Sequence, residues 1–288
     1  MRIAFLNRAP ANPPGGDRIA IGYTIEALRK LGIEAELLYG EGLTERLKAF
    51  DMAHLFHCEF EFCPPNFKAL AESGVRYVVT PIFYPEFWGT WIPANTAREV
   101  LLQAESVLPF SWREAKELRE VLGVCDTIPV PNGTDSKFHA APSNGNRVGV
   151  CAADAWGFKG ADITEKACAI SGVPYTYLHT VAHNEMPAAY RSHRVFVTVT
   201  KSDRMSLTVG EALCSGCRVL ASTANRGNEW YPALKTISPD ITVEDLAREI
   251  KQAYHVRDWN YMPNAAAREL TWDRTAEQLV GVYRQVLA

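Results

Sequence analysis

The amino-acid sequence predicts an α/β protein of two doubly wound domains, each built on a parallel sheet. Two observations lead to this prediction. Short apolar runs alternate with amphipathic helical patterns along the chain. The alternation is interrupted once, at residues 131–146, by a segment rich in Pro, Gly, Asn and Ser. With 288 residues, the chain is long enough for two domains that each bury their own core.

The first half begins with an apolar run at residues 3–6, followed by a loop rich in proline and glycine at 10–16. A helical pattern starts after Asp17 and stops at Gly32, and residues 33–37 then alternate as a strand does. Strand, loop, helix and strand in this order form a βαβ unit, which requires a parallel sheet. The other elements predicted here are strands at 52–56, 76–80, 106–109 and 127–130, and helices at 67–73 and 112–122.

The second half repeats the alternation after the linker at residues 131–146. Two such series predict two doubly wound domains that face each other. Ligands of these folds sit at the carboxyl ends of the strands, so the cleft between the domains is the expected site. The predicted strands are 147–152, 175–179, 195–200 and 218–222, and the helices are 162–171, 209–214, 243–254 and 275–287.

Composition and charge narrow the class of protein. The chain is 47% hydrophobic and 22% charged, with a formal net charge of −3. These values are ordinary for a globular protein and show no overall attraction to nucleic acid or an anionic membrane, although a local basic patch would survive the average. The apolar start is too short for a signal peptide, and no run approaches a membrane span, so we expect a cytoplasmic protein.

Seven cysteines form an odd set, and Cys214 and Cys217 have C-x-x-C spacing. That spacing occurs in redox sites and in half of a zinc site, but no second pair of ligands follows. We therefore expect buried, reduced thiols.

The block from Lys201 to Ser222 carries the most chemistry and reads KSDRMSLTVGEALCSGCRVLAS. It predicts a strand end, a polar loop, a short helix, a glycine turn and a strand. The start of that helix would offer unpaired backbone N–H groups and a positive dipole end to an anion. Two carboxylates, Asp203 and Glu211, flank this point, where they can accept hydrogen bonds from sugar hydroxyls beside phosphates.

This block resembles the one in retaining GT-B glycosyltransferases of the family-4 type, which reads like SEGFGLVVLEALACGCPVVAS. Glu211 matches the second of the family's two glutamates, and Asp203 stands in place of the first. The resemblance implies that Glu211 binds the ribose hydroxyls and Asp203 contacts the donor sugar. It also implies that backbone amides of Met205, Ser206 and Leu207 meet the sugar and the diphosphate. Ser206 stands at a glycine position, which is a departure from the family.

A second block at residues 149–162 resembles the family's loop in which a lysine, and often an arginine, contacts the diphosphate. Lys159 and Gly160 match its lysine–glycine pair, and an ammonium suits a leaving diphosphate. Asp154 stands where the arginine is expected. Either Arg204 substitutes from the facing loop, or catalysis is weaker than in the family.

Three shorter matches complete the resemblance. Residues 128–138 resemble the hinge between the domains, and residues 270–273 resemble the ending before a last helix that returns to the first domain. Gly15 and Gly16 match a glycine loop that lies against the donor phosphates or the acceptor. The implied domains are an acceptor-side domain at 1–135, a nucleotide-sugar domain at 136–270 and a returning helix at 271–288.

The first domain lacks the family's histidine after its fourth predicted strand. The nearest polar candidates for an acceptor pocket are His57, Glu59, Tyr84 and Glu86, each of which is equally consistent with a structural role. Aromatic residues are dense between 56 and 91. They fit stacking on a sugar or a planar acceptor, and they also fit a core under a long loop.

We therefore expect a Rossmann-like GT-B enzyme that transfers a hexose, with retention, from a nucleotide diphosphate sugar of the UDP-glucose type to a hydroxyl. The expected catalytic residues are Asp203 and Lys159. No cofactor is expected, and no D-x-D metal motif stands where a nucleotide would bind. A sugar-nucleotide epimerase and a non-catalytic nucleotide-sugar-binding module are the alternatives. The sequence leaves open uracil or guanine in the donor, and a saccharide, a lipid-linked sugar, a metabolite or a modified DNA base as acceptor.

Overall fold

The computed structural model describes residues 1–9, 15–139, 149–152, 159–179, 181–256 and 262–288. They form two compact units. Unit 1 comprises Met1–Gly133 and Trp272–Ala288, and unit 2 comprises Thr134–Thr271. Each unit contains one five-stranded parallel sheet with helices packed against it.

The strands are β1 Arg2–Leu6, β2 Glu34–Leu38, β3 Met52–Phe56, β4 Tyr77–Thr80, β5 Ser106–Val107, β6 Val150–Ala152, β7 Tyr175–Tyr177, β8 Val195–Thr198, β9 Arg218–Ser222 and β10 Lys235–Ile237. The helices are α1 Gly16–Lys30, α2 Leu43–Leu47, α3 Cys63–Ser73, α4 Ala94–Gln103, α5 Trp112–Leu122, α6 Ala161–Ser171, α7 Met186–Ser192, α8 Leu207–Cys214, α9 Val243–His255, α10 Met262–Glu269 and α11 Trp272–Leu287. Single 3₁₀ turns occur at Pro85–Phe87, Ser136–Phe138 and Arg226–Trp230.

The unit 1 sheet has the order β2-β1-β3-β4-β5, with every neighbouring pair parallel. Every residue of β3 is buried, as expected for a central strand covered on both faces. His54 in β3 bonds the Tyr283 hydroxyl at 2.7 Å and the Thr80 hydroxyl at 2.9 Å. Burial lowers the pKa of His54 to about 3, so this link between the sheet and α11 is made by a neutral ring.

The unit 2 sheet has the order β10-β9-β8-β6-β7, which is the unit 1 order read from the other edge. In both units the first strand pairs with the second on one side and with the third on the other. The chain therefore reverses its direction of winding between β1 and β3, and again between β6 and β8. Loops at the carboxyl ends of such strand pairs are the usual ligand sites of doubly wound sheets.

The prediction of a full strand at 127–130 is wrong. Thr127 makes only an isolated bridge to Val107. The Ile128 and Val130 N–H groups do donate to the carbonyls of Val107 and Pro109, at 3.0 and 2.8 Å. The ladder stops because Pro109 has no N–H to donate in return, which also shortens the strand predicted at 106–109 to two residues.

The predicted helix at 67–73 begins earlier, at Cys63, because two prolines lie in its first turn, where a helix does not need their N–H groups. Five elements were not predicted: α2, α4, α7, α10 and β10. In β10 only the last of three residues is buried, so this edge strand lacks the apolar run by which the other strands were found.

All seven cysteines are free thiols, and all but Cys125 are buried, including Cys214 and Cys217. The expectation of buried, reduced thiols is confirmed for that pair. None of the helices within the described ranges is long and apolar enough to cross a membrane. Two predictions reach into residues 140–148, which lie outside the described residues. They are the linker at 131–146 and the start of the strand at 147–152.

Candidate functional site

The start of α8 offers two unused backbone donors. Ser206 caps the helix in an extended conformation, and its own N–H donates to Asn225 Oδ1 at 3.3 Å. The Val209 N–H donates to the Ser206 carbonyl at 3.2 Å. The N–H groups of Leu207 and Thr208 have no acceptor among the described residues. Since the positive end of the helix dipole lies here, the two donors form a potential anion site.

The loop before α8 is fixed by pairing with the segment after β9. Asp203 forms a parallel bridge with Asn225, and the Arg226 N–H donates to the Asp203 carbonyl at 3.0 Å. The Gly227 N–H donates to the Arg204 carbonyl at 2.7 Å. A β-carbon at Gly227 would lie 2.6 Å from Met205 Cγ, so a glycine is needed for Met205 to pack there. The loop is therefore rigidly positioned.

Lys159 reaches this loop from the segment between β6 and α6. Gly160 has a φ of +79°, and a β-carbon there would lie 2.7 Å from Val199 Cβ. The Val199 N–H donates to the Lys159 carbonyl at 2.8 Å, which holds the lysine at the carboxyl end of β8. Its Nζ lies 3.1 Å from Asp203 Oδ2 and 3.3 Å from Ser206 Oγ. The two predicted catalytic residues therefore form an ion pair beside the α8 N-terminus.

Glu211 lies in the second turn of α8 and is only 6% exposed. Its carboxylate makes no hydrogen bond or ion pair with any described residue. Burial raises the pKa of Glu211 to about 7, against a smaller opposite effect of the Lys137 and Lys159 ammonium groups. A buried carboxylate without a partner is costly, and this cost points to a ligand that supplies the missing donors.

The other site residues predicted around α8 are buried or half-buried. Arg204 is almost wholly buried, and its Nη2 donates to Ser202 Oγ at 2.8 Å. Met205 and Ser206 are also buried, and Leu207 is half-buried. Contact of Arg204 with phosphate stays a prediction. Asp154, at the position of the family's arginine, lies outside the described residues.

Gly15 and Gly16 lie in unit 1, at the start of α1. A β-carbon on Gly15 would collide with Arg8 Nη2 and lie 2.5 Å from Asp17 Oδ1, so this glycine makes room for an ion pair. Gly16 is the first residue of the helix. Their predicted role against donor phosphates stays a prediction.

That ion pair belongs to a cluster that sequence reasoning missed. Asp17 accepts hydrogen bonds from Asn7 Nδ2 at 2.8 Å and Arg8 Nη2 at 3.0 Å, and it pairs with His57 Nε2 at 3.4 Å. Burial alone would raise the pKa of Asp17, but the hydrogen bond and electrostatic interaction with His57, together with the Asn7 hydrogen bond and the Arg8 charge, hold it well below its ordinary range. We refer to these four residues as the Asp17 cluster.

An aromatic surface adjoins the Asp17 cluster. Phe60 stacks on Phe62 with ring centroids 5.6 Å apart and on Trp91 at 4.6 Å, and Phe87 lies 5.4 Å from Trp91. The His57 ring meets Phe60 edge-on at 4.7 Å. We refer to Phe60, Phe62, Phe87 and Trp91 as the aromatic wall.

The predicted acceptor-side residues are distributed around this wall. Tyr84 lies 6.4 Å from Phe60, so the structure brings His57 and Tyr84 to the same surface. Glu86 is exposed in the 3₁₀ turn that carries Phe87. Asn7 and Asp17 had one usable signal in the sequence: they flank the loop between the first strand and the first helix, where a doubly wound sheet places its ligands.

The two parallel sheets and the order of their strands define the class of the protein as α/β with the GT-B fold. The chain is similar to sucrose-phosphate synthase from Thermosynechococcus elongatus, with a TM-score of 0.77, 14% identity, and 99% of each chain covered. It is similar to HepE from Anabaena, solved with UDP and glucose, with a TM-score of 0.76, 13% identity, and 99% of this chain and 100% of HepE covered. A glycosyltransferase from Rickettsia africae gives a TM-score of 0.69 at 12% identity, with 99% of each chain covered.

No protein-family model and no curated protein sequence matches the chain. At 12–14% identity the structural similarity establishes the fold. The described residues also contain no group of three His, Cys, Asp or Glu side chains placed to hold a metal ion.

Proposed function

We propose that this protein is a glycosyltransferase that transfers a hexose from a UDP-glucose-type donor to an acceptor hydroxyl, with retention of configuration. The observation that carries the proposal is Glu211: a buried carboxylate without a partner, on the helix whose first two N–H groups are unused and beside Lys159. The fold supports it, because HepE has the same fold and has been solved with UDP-glucose.

The donor would bind along α8. The two ribose hydroxyls would donate to Glu211, supplying the hydrogen bonds that its buried carboxylate lacks. The diphosphate would accept hydrogen bonds from the Leu207 and Thr208 N–H groups and from the Ser206 hydroxyl. Lys159 Nζ, already 3.3 Å from Ser206 Oγ, would neutralise part of the phosphate charge.

The chemistry would be charge stabilisation on the leaving group. As the bond from the anomeric carbon to the phosphate oxygen breaks, negative charge grows on the diphosphate next to Lys159 and the α8 N-terminus. The acceptor hydroxyl attacks from the same face, and its proton passes to the departing phosphate oxygen. Asp203 holds Lys159 in place before the donor arrives and would then accept a hydrogen bond from the donor sugar.

We also propose that turnover needs no divalent metal, since no D-x-D motif adjoins these residues. Activity that is lost in EDTA and returns with added magnesium would contradict this.

Titration calorimetry with UDP, GDP and their glucose conjugates tests the donor site. Wild type should bind one nucleotide series, and Glu211→Gln should bind it about 30–100-fold more weakly, the loss of hydrogen bonds to a charged acceptor. Glu165→Gln, which changes an exposed glutamate of α6, is the matched control and should bind like wild type. The assignment fails if no nucleotide binds wild type, or if Glu211→Gln binds as tightly.

Donor turnover separates enzymatic transfer from the other chemistries of this fold. Acceptor-free NMR of the bound UDP-glucose should show an unchanged sugar configuration. An epimerised sugar nucleotide would instead identify an isomerase, and tight binding without transfer to any acceptor would identify a binding module.

A further inference from the structure

Two asparagine side chains connect the end of β9 to the start of α8. Asn225 Oδ1 accepts the Ser206 N–H at 3.3 Å, and Asn225 Nδ2 donates to Asn228 Oδ1 at 2.7 Å. Asn228 Nδ2 then donates to the carbonyl of Ser222, the last residue of β9, at 2.8 Å. Asn225 is 1% exposed, and Asn228 is half-buried. We refer to Asn225 and Asn228 as the asparagine pair.

The two ends of this chain of hydrogen bonds determine its direction. The Ser222 carbonyl can only accept, so Asn228 must turn its NH₂ group toward it and its oxygen toward Asn225. The Ser206 N–H can only donate, so Asn225 must turn its oxygen toward it and its NH₂ group toward Asn228. A flipped amide at either position would set two donors or two acceptors against each other. Each position therefore needs a side chain with one donor and one acceptor, which asparagine supplies without a charge.

The backbone of the same segment holds the asparagine pair in place. The Asn225 N–H donates to the Ser222 carbonyl at 3.1 Å, and the Asn228 N–H donates to the Asn225 carbonyl at 3.3 Å. Asn225 also forms the parallel bridge to Asp203. Side chains that are locked by packing and hydrogen bonds can hold a neighbouring site to within about 0.5 Å. The asparagine pair is therefore suited to fixing the residue that its last hydrogen bond reaches, Ser206.

Ser206 begins the candidate anion site. It caps α8, and its hydroxyl lies 2.9 Å from the Thr208 hydroxyl and 3.3 Å from Lys159 Nζ. Because Asn225 takes up the Ser206 N–H, the first N–H groups left for a ligand belong to the next two residues of the helix. A carboxylate at position 225 would also accept the Ser206 N–H, and it would interact more strongly with the positive end of the helix. It would also place a negative charge beside the expected phosphate oxygens, so the neutral amide favours an anionic ligand over local stability.

We propose that Asn225 and Asn228 are positioning residues for the donor diphosphate. They fix the start of α8 through a neutral hydrogen bond to Ser206, so that the Ser206 hydroxyl and the next two N–H groups of the helix meet the phosphate oxygens. Neither asparagine touches the donor, and both act through Ser206. This role rests on the proposed function, because the anion site is the same. It makes the phosphate part of donor binding, and not the ribose part at Glu211, depend on the segment after β9.

Titration of the full-length chain with UDP-glucose by calorimetry, and with uridine by NMR, tests this role, because uridine carries the ribose and no phosphate. Asn228→Ala removes a hydrogen bond to Asn225 without changing the charge, and it should bind UDP-glucose about tenfold more weakly. Asn225→Asp brings a carboxylate next to the phosphates and should bind UDP-glucose about 10–100-fold more weakly. Both variants should bind uridine like wild type, since Glu211 is unchanged. Asn95→Asp, at an exposed position of α4, is the control for added charge and should bind both ligands like wild type.

A merely structural role would weaken both ligands alike, so equal losses for UDP-glucose and uridine would overturn the positioning role. It is also overturned if Asn228→Ala and Asn225→Asp both bind UDP-glucose within about twofold of Asn95→Asp. Because Asn228 is half-buried, its variant does not depend on a substitution in the core.

Failure of the donor proposal has a separate signature, in which wild type does not bind UDP-glucose. Inorganic pyrophosphate is then the probe, and it should shift the amide resonances of Leu207 and Thr208 in wild type at lower concentration than in Asn228→Ala. If pyrophosphate leaves both resonances unchanged in wild type, or shifts them equally in the two proteins, the asparagine pair does not position an anion site.

Discussion

The two switch points of this molecule share one topology and use their charges differently. Unit 1 places Asp17 after its first strand and His57 after its third, and unit 2 places Lys159 after its first strand and Asp203 after its third. In unit 1 the carboxylate of Asp17 has three donors, and its pKa lies well below the ordinary range. In unit 2 the carboxylate of Glu211 has none, and its pKa is raised to about 7.

Burial of a carboxylate therefore does not by itself reveal its role. A carboxylate with several protein donors, such as Asp17, stabilises its own fold and orients its neighbours. A buried carboxylate without donors lowers stability, and selection retains it where a ligand supplies the donors. Four predictions, given in order of decreasing magnitude, test this contrast.

The largest effect is expected from Lys159→Ala. In the proposed mechanism the Lys159 ammonium lies beside the leaving diphosphate, so its removal should lower kcat about 10²–10³-fold, the range for losing one charge-stabilising group. Release of UDP from UDP-glucose, measured at saturating donor, gives kcat. Lys166→Ala on the exposed side of α6 should retain wild-type activity. A kcat for Lys159→Ala within threefold of wild type would remove the lysine from the mechanism.

The next prediction concerns the stability of the free protein. The folded state keeps the Glu211 proton up to about pH 7, whereas the unfolded chain releases it above 4.5. Stability therefore falls as pH rises through this window, and Glu211→Gln removes the fall. At pH 8 the variant should be more stable than wild type by about 3 kcal/mol.

Urea unfolding of wild type and Glu211→Gln at pH 4.5 and pH 8, without nucleotide, measures this difference in stability. Equal stability of the two proteins at pH 8 would show that the Glu211 carboxylate is hydrated or paired.

Asp17→Asn should act in the opposite direction. Replacing this carboxylate by an amide at pH 7 should cost about 2 kcal/mol, because three donors lose a charged acceptor. The folded-state pKa of Asp17 is depressed, so its contribution is present above about 3.8 and is lost as pH falls through the folded value. The difference in unfolding free energy should therefore persist from pH 8 to 5 and shrink below pH 4. A difference that vanishes at neutral pH would contradict the cluster.

The smallest effect is the pH dependence of donor binding. In the proposed donor site the ribose hydroxyls donate to the ionised form of Glu211, so affinity for UDP-glucose, whose diphosphate has no proton to lose in this range, should weaken by up to about tenfold per pH unit below pH 7. Calorimetry at pH 5.5, 6.5 and 8 measures the slope. Glu211→Gln should show no such slope, and a wild-type profile that is flat through this range would separate Glu211 from the ribose.

The sequence predicted the fold class and most central elements, with β3, β9 and α5 matching to the residue. These segments succeed because burial on both sheet faces, or on one helix face, leaves a clear apolar period. β10 and the short α2 failed because edge position and length remove that period.

Among the candidate site residues, those that belong to a recognisable motif were predicted from the sequence, and Asp17, which no motif singles out, was missed. Glu211, Ser206 and Asp203 share one block, and Lys159 came from a second motif. Asp17 was not recognised, because its partner His57 lies 40 positions away and only the pairing of β1 with β3 brings them together. The sequence also could not show that the Glu211 carboxylate lacks hydrogen-bond partners, because this depends on which side chains lie near it in the fold.

One structural feature bears on how this chain can be divided. Unit 2 begins at Thr134 and ends at Thr271, and these two residues form an isolated parallel β-bridge in which the Thr134 N–H donates to the Leu270 carbonyl. In unit 1, Thr275 Oγ1 donates to the Pro131 carbonyl at 2.9 Å, so the two cut ends of that unit also meet. Unit 2 is thus an insertion with adjoining ends, and a few residues joining position 133 to 272 would suffice to close unit 1 without it.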